Sequence, residues 1–122
     1  MSNKAYKVLK SDEWAEASST GQIITDLDKR DGFIHLSTAS QLAATLSFYF
    51  QDSEEVILLQ LDLEKINKDK LLYEEPHPNE GKRKSPFPHL YSELITDQIA
   101  NIWTINRGAF DLPEEVLLQA EN

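Results

Sequence analysis

Cysteine is absent from this chain of 122 residues. That excludes a disulfide framework, thiol catalysis and cysteine-bound zinc, and it suits a reducing compartment. Glycine is nearly as scarce, with four residues and no GxGxxG or Walker-type loop among them. Rossmann dinucleotide binding and P-loop chemistry are thereby excluded. No GxSxG turn is present to raise a serine nucleophile. Long apolar runs are missing too: none approaches the ~20 residues of a membrane span, and the N-terminal MSNKAYKVLK has no apolar signal segment. Positive charge is in deficit, 12 Lys plus Arg against 21 Asp plus Glu, for a net charge of −9. Such a surface repels phosphate backbones, so duplex DNA is excluded as a partner. No membrane is expected as a partner either, and the expected location is the cytoplasm.

The apolar fraction is 40%, with two Trp, four Tyr and five Phe, enough to fill a core. The length suits one domain, and no linker or internal repeat divides residues 1–122. Tyr6, Val8 and Leu9 predict a short opening strand. Ser11 reads as the cap of a helix through Trp14 and Ala17, with Asp12 and Glu13 in its first turn. A brief extended piece over residues 23–27 then runs into a polar turn, Asp28-Lys29-Arg30-Asp31-Gly32. Phe33 to Leu36 predicts a strand whose alternation puts Phe33, His35 and Ser37 on one face. Thr38 and Gln41 have capping-box spacing for an amphipathic helix over about 38–50.

The most strand-like segment is Val56–Leu63, with Ile57, Leu59, Leu61 and Leu63 on an apolar face and Gln60 and Asp62 marking a wetter one. Leu71–Glu74 predicts another strand. Four of the five prolines fall between Pro76 and Pro88, which argues against regular structure there. Leu90–Ile95 and Ile99–Ile105 read as closing strands, and Pro113 as the first turn of a short helix over Glu114–Leu118. The expected fold class is α+β, sheet-rich, with one good helix and two small ones.

Two segments carry chemistry. Asp31-Gly32-Phe33-Ile34-His35-Leu36-Ser37-Thr38 delivers an imidazole and two hydroxyls to the junction of a strand end and a helix start. Unpaired N–H groups there favour an anion or polar ligand, while helix capping alone would also account for Ser37 and Thr38. The second is the proline-stiffened stretch from Glu74 through Pro88 into His89-Leu90-Tyr91. From Gly81 to Ser92 it contains no acid and carries +3 from Lys82, Arg83 and Lys84. Arg83 suits bidentate contact with a phosphate or carboxylate, and a solvated loop is the plainer alternative. His35, His77, His89 and Glu74 show no HxH or HExxH spacing, so no metal site is expected.

DGFIHLST, the helix with Leu42-Ala43-Ala44-Thr45-Leu46, an apolar strand ending in Leu-Asp, then Tyr-Glu and FPHLY together resemble the bacterial domain-of-unknown-function family DUF952. The similarity runs from about Tyr6 to Trp103, and the family-like core covers about 6–105. The resemblance implies an ADP-ribosyltransferase-like fold: a small domain with two packed, mainly antiparallel sheets around a cleft sized for NAD.

By that likeness, His35-Leu36-Ser37 stands where histidine-bearing ADP-ribosyltransferases hold the ribose and nicotinamide, with Leu36 in place of a common glycine. Tyr49 and Tyr91 are the aromatic candidates against nicotinamide. The usual late catalytic glutamate has no counterpart, and Phe87-Pro88-His89-Leu90-Tyr91 offers His89 instead. Tyr73 stands in the place of a family tryptophan, and Arg83 is taken as the family arginine.

The resulting expectation is a cleft that takes a small anionic ligand, a nucleotide or another phosphorylated molecule, with NAD or ADP-ribose as the possible cofactor type. His35, Glu74 and His89 are the candidate catalytic residues; Phe33, Ser37, Thr38, Arg83 and Tyr91 are the candidate ligand contacts. If catalytic, the domain would transfer or remove a ribosyl or phosphate group, with His35 orienting ribose, Arg83 holding phosphate and Glu74 or His89 moving the proton. The alternative is a non-catalytic binding module that keeps the cleft. The sequence names no protein partner.

Overall fold

A computed structural model describes residues 4–50, 52–75, 86–106 and Val116, with the side chains of residues 47–49 outside that description. The elements are β1 (Tyr6–Lys10), α1 (Ser11–Thr20), α2 (Asp26–Asp31), β2 (Ile34–His35), α3 (Leu42–Tyr49), β3 (Glu55–Leu61), β4 (Leu71–Glu74), β5 (Phe87–Leu90) and β6 (Ile99–Asn106). They form two three-stranded antiparallel sheets, ordered β1-β3-β6 and β2-β5-β4. The fold is therefore a small α+β domain with few helices.

In the first sheet β3 is central, pairing Tyr6 with Gln60 on one side and Trp103 with Leu58 on the other. Both faces of β3 are buried. Ile57, Leu59 and Leu61 pack with Leu9 and Ala17 and with Ile34, Leu36 and Leu90 of the second sheet, so the two sheets share one core. Val56 and Leu58 pack on the other side with Tyr6, Val8, Val116, and Leu42 and Leu46 of α3. The expected wet face is corrected here. Gln60 is buried, and Asn101 Nδ2 donates to its Oε1 at 3.2 Å. A strand covered on both faces reads as a continuous apolar run, as VILLQL does.

The sheets are stitched at Tyr6 and Ser37, which exchange backbone hydrogen bonds of 2.8 and 2.9 Å. In the second sheet β5 is central, with His89 opposite His35 on one side and Leu72 on the other. The reading of Pro76–Pro88 as irregular fails at its end, because Phe87 and Pro88 belong to β5 rather than to the loop. The Pro88 carbonyl accepts from Leu36 N at 3.1 Å, but proline has no N–H to return that bond, and the pairing of β2 with β5 stops at His35 and His89. The expected strand over Leu90–Ile95 accordingly stops at Leu90. The expected helix over Glu114–Leu118 lies outside the described residues except for Val116, which is helical and buried.

The largest revision concerns residues 26–31. Instead of the end of an extended piece followed by a polar turn they form α2, closed at its start by a reciprocal pair. Asp28 N donates to Thr25 Oγ1 at 3.2 Å, and Thr25 N donates to Asp28 Oδ2 at 3.0 Å. Gly32, at φ 83°, ends the helix with its N–H on the Asp28 carbonyl at 2.9 Å, a left-handed conformation that glycine adopts without cost. This short helix aims Asp28 and Asp31 at the strand that follows. At α1, Ser11 is the first helical residue rather than the cap, and its hydroxyl donates to Glu55 Oε1 at 3.0 Å.

Candidate functional site

Strand alternation divides the second sheet into two unlike faces. Ile34, Leu36, Leu90 and Leu71 turn into the shared core. The opposite face carries Phe33, His35 and Ser37 along β2 and its extensions, Phe87, His89 and Tyr91 along β5, and Leu72 and Glu74 along β4. Six of the eight candidate site residues therefore meet on one sheet face: Phe33, His35, Ser37, Glu74, His89 and Tyr91. Thr38 lies just beyond its end, half-buried, with its N–H donating to Gln41 Oε1 at 3.0 Å and its Oγ1 3.2 Å from Ser40 Oγ. Arg83 and His77 lie outside the described residues, as does the side chain of Tyr49.

On the β2 side His35 is held by two carboxylates. Its Nδ1 lies 2.8 Å from Asp28 Oδ1 and its Nε2 lies 2.9 Å from Asp31 Oδ2. An ionised carboxylate only accepts, so both contacts are hydrogen bonds at once only when both ring nitrogens carry hydrogens. Asp28 is the hub. Besides the ring, its Oδ1 accepts from His35 N at 2.9 Å and from Lys7 Nζ at 3.0 Å; its Oδ2 accepts from Lys7 Nζ at 2.8 Å and from Thr25 N at 3.0 Å. Lys7 Nζ makes a further bond to the His35 carbonyl at 3.0 Å. Lys7 is 4% exposed and Asp28 1%, so two opposite charges sit in the interior with their donors and acceptors occupied. Burial pushes the Asp28 carboxyl up, but the Lys7 ammonium and the bonds from His35 and Lys7 outweigh it and hold the group well below the usual carboxylate range. A hydrogen bond from Arg30, aided by His35, depresses Asp31 as well.

On the β4 side Glu74 Oε1 accepts from the Tyr91 hydroxyl at 2.6 Å and lies 2.9 Å from His89 Nδ1. The Tyr91 bond is the largest cause of a depressed Glu74 carboxyl; burial opposes it, and His89 adds to the lowering. The same bond pushes the Tyr91 phenol up to about 12. Phe33 separates the two sides. Its ring stacks on His89 with centroids 4.0 Å apart and stands tilted at 4.5 Å from His35 and 5.3 Å from Tyr91. His35 and His89 are 5.9 Å apart, edge to face.

A cavity of about 330 Å³ opens where the two sheets meet, walled by Lys7, Lys10, His35, Ser37, Phe50 and Phe87 among others. Ser37 Oγ and Thr45 Oγ1, 2.8 Å apart, both line it. Glu74, His89 and Tyr91 do not line this cavity. Tyr91 and Phe33 instead border a more open groove of about 450 Å³ together with Ile24, Lys29 and Glu93. Among the described residues no group of three His, Asp or Glu side chains is arranged to hold a metal ion, and no helix is long and apolar enough to cross a membrane.

Sequence reasoning missed Lys7, Asp28 and Asp31. Two signals were available. Thr25-x-x-Asp28 is a capping spacing with Asp in the place of Glu, and Lys7 stands between Ala5 and Leu9 on the core-facing alternation of β1.

A two-sheet α+β domain with a polar, aromatic-stacked site on one face of the second sheet is thus the class that the fold defines. The chain belongs to the DUF952 family, a family of proteins of unknown function, which it matches over residues 8–102. Among solved structures it is similar to the crystal structure of protein CC0527 from Caulobacter crescentus, a structural-genomics target, with a TM-score of 0.78 and 27% identity over 97% of this chain and 99% of that one. A methionine double variant of the same protein gives 0.77 at 27% identity with the same coverage. Its solution NMR structure gives 0.69 at 28% identity over 84% of each chain. No curated protein sequence matches significantly.

Proposed function

We propose that this ADP-ribosyltransferase-like domain binds a nucleotide or another small phosphorylated molecule in the cavity at the meeting of the two sheets. The observation that carries the reading is the cavity itself, into which the end of β2 brings His35 and Ser37 opposite Lys7 and Lys10 of β1. Its volume of about 330 Å³ falls within the roughly 300–1,000 Å³ of small-ligand sites. Phe50 and Phe87 supply apolar wall for a flat ring, and Ser37 and Thr45 supply hydroxyls. Lys10, exposed at the end of β1, is the cation left to meet an anionic group, since the Lys7 ammonium is already committed to Asp28 and the His35 carbonyl.

Binding is favoured over group transfer by a specific feature. Both His35 ring nitrogens are occupied by carboxylates, and Glu74 and His89 lie outside the cavity lining. His35 therefore shapes and stiffens the wall rather than moving a proton to a ligand in the cavity.

Amide NMR and thermal shift with ADP-ribose, NAD and inorganic phosphate test the reading. A true ligand produces saturable shifts at Lys10, Ser37 and Thr45 and a melting temperature that climbs with concentration. Absence of any saturable response to all three sinks it. Turnover of NAD by the protein would restore the transferase reading.

A further inference from the structure

The β4 side of the same sheet face is independent of the cavity. Glu74 Oε1 is fixed by two donors, Tyr91 and His89, while Oε2 accepts no hydrogen bond among the described residues. No Lys or Arg among the described residues comes within ion-pair distance of this carboxylate, whose ion-pair contact there is with His89. The Glu74 side chain is 39% exposed. Around it, Tyr91 and Leu72 are exposed at 41% and 44%, and Leu72 shares the Glu74 face by alternation. A pinned carboxylate, an accessible phenol ring and an apolar side chain on one open sheet face form a set of complementary contacts. An ionised group would take the positive charge, the ring face would attract it further, and Leu72 would cover a methylene stem.

We infer that Glu74, Tyr91 and Leu72 form a recognition site for an alkylguanidinium or alkylammonium group, the chemistry of an arginine or lysine side chain presented by a protein partner. The charge of the whole chain, −9, draws such a cation from a distance. Buried and stacked on Phe33, His89 serves here as a positioning residue: it holds Oε1 of Glu74, and Oε2 has no donor among the described residues.

Agmatine, a guanidinium on a four-carbon stem, is the probe, and butylurea is the uncharged control. Titration into the intact chain, followed by amide and tyrosine-ring NMR, should give saturable shifts confined to Leu72–Glu74 and Tyr91, weakening as salt is raised. Glu74→Gln should weaken agmatine about tenfold or more, the equivalent of losing about 1.4 kcal/mol. Tyr91→Leu should weaken it about threefold, as expected for an exposed cation–π contact. Where Glu74→Gln fails to fold, the Tyr91→Leu variant and the salt dependence decide in its place.

A response equal to that of butylurea, one insensitive to salt, or one that survives Glu74→Gln undiminished overturns the site. Because the nucleotide reading is read at Lys10, Ser37 and Thr45, either proposal can fail while the other stands.

Discussion

The two sheets were built from the same chain with opposite strategies. The β1-β3-β6 sheet buries apolar side chains on both sides of its central strand, with Leu58 on one face and Leu59 on the other wholly covered. The β2-β5-β4 sheet buries an apolar face, but its other face holds histidines, hydroxyls, carboxylates and stacked rings. A strand buried on both faces, as β3 is, serves as scaffold, and the polar groups this sheet brings to the cavity are Lys7 and Lys10 of β1. A sheet with one polar face must satisfy that face internally or leave it open to solvent or a ligand; His35 has both ring nitrogens on carboxylates, whereas Glu74 has two donors on one oxygen and none among the described residues on the other.

That contrast can be broken at Asp28. Asp28→Ala leaves the Lys7 ammonium buried without its acceptor, and removing one partner of a buried pair costs about 3–5 kcal/mol. Urea unfolding should show a loss of that size, and a loss below about 1 kcal/mol would mean the network contributes little. The double replacement Lys7→Met with Asp28→Leu should recover a large part of it, because apolar residues of similar volume need no partner. The same network sets an acid limit. Asp28 has a folded carboxyl value below its unfolded one, so its stabilising effect is complete above the unfolded value near about 3.9. The effect is lost as pH falls from there towards the folded value. Unfolding at a series of pH values should therefore fall away more gently below about pH 4 in Asp28→Asn than in the natural protein, measured against each protein's neutral stability.

On the scaffold side, Leu58→Ala should cost about 2–5 kcal/mol through lost burial and the cavity left behind. The ring-nitrogen NMR signals of His35 should stay where they were. If they move, the two sheets are coupled more tightly than their separate faces suggest. Thr25→Ala should cost about 1 kcal/mol, the usual worth of a helix cap, and it should loosen the His35 signals because α2 carries Asp28. Tyr91→Phe should change stability least, well under about 1 kcal/mol for so exposed a contact. The Glu74 carboxyl should nevertheless titrate closer to its ordinary value once the phenol is gone, a shift visible by carbon NMR.

Much of this architecture is legible in the residue pattern. The strands at Tyr6, Val56, Leu71 and Ile99, the helix begun by Thr38 and Gln41, and the shared face of Phe33, His35 and Ser37 all follow from periodicity. The helix at 26–31 is not legible in the same way, because five polar residues and a single leucine, Leu27, show no apolar period; its cap and its contacts with β1 and β2 make it a helix. Pro88 misleads for a related reason. Proline is tolerated at the start of a strand, and Pro88 lies opposite Leu36, one residue past the end of β2, where only a single return bond is lost.

What the sequence determines by itself is local: which stretches alternate, where helices can start, and that Phe33, His35 and Ser37 point the same way. These follow from periods of two and 3.6 residues, which need no distant partner. The tertiary structure alone decided that His35 is clamped by Asp28 and Asp31, that Lys7 closes that network from the other sheet, and that Glu74 is pinned by Tyr91 and His89 on the far side of the Phe33 stack. A hydrogen bond acts over about 3 Å of space, and Lys7 is 21 residues from Asp28 and Glu74 is 17 from Tyr91 along the chain. Only the folding of strands against one another converts those separations into contact.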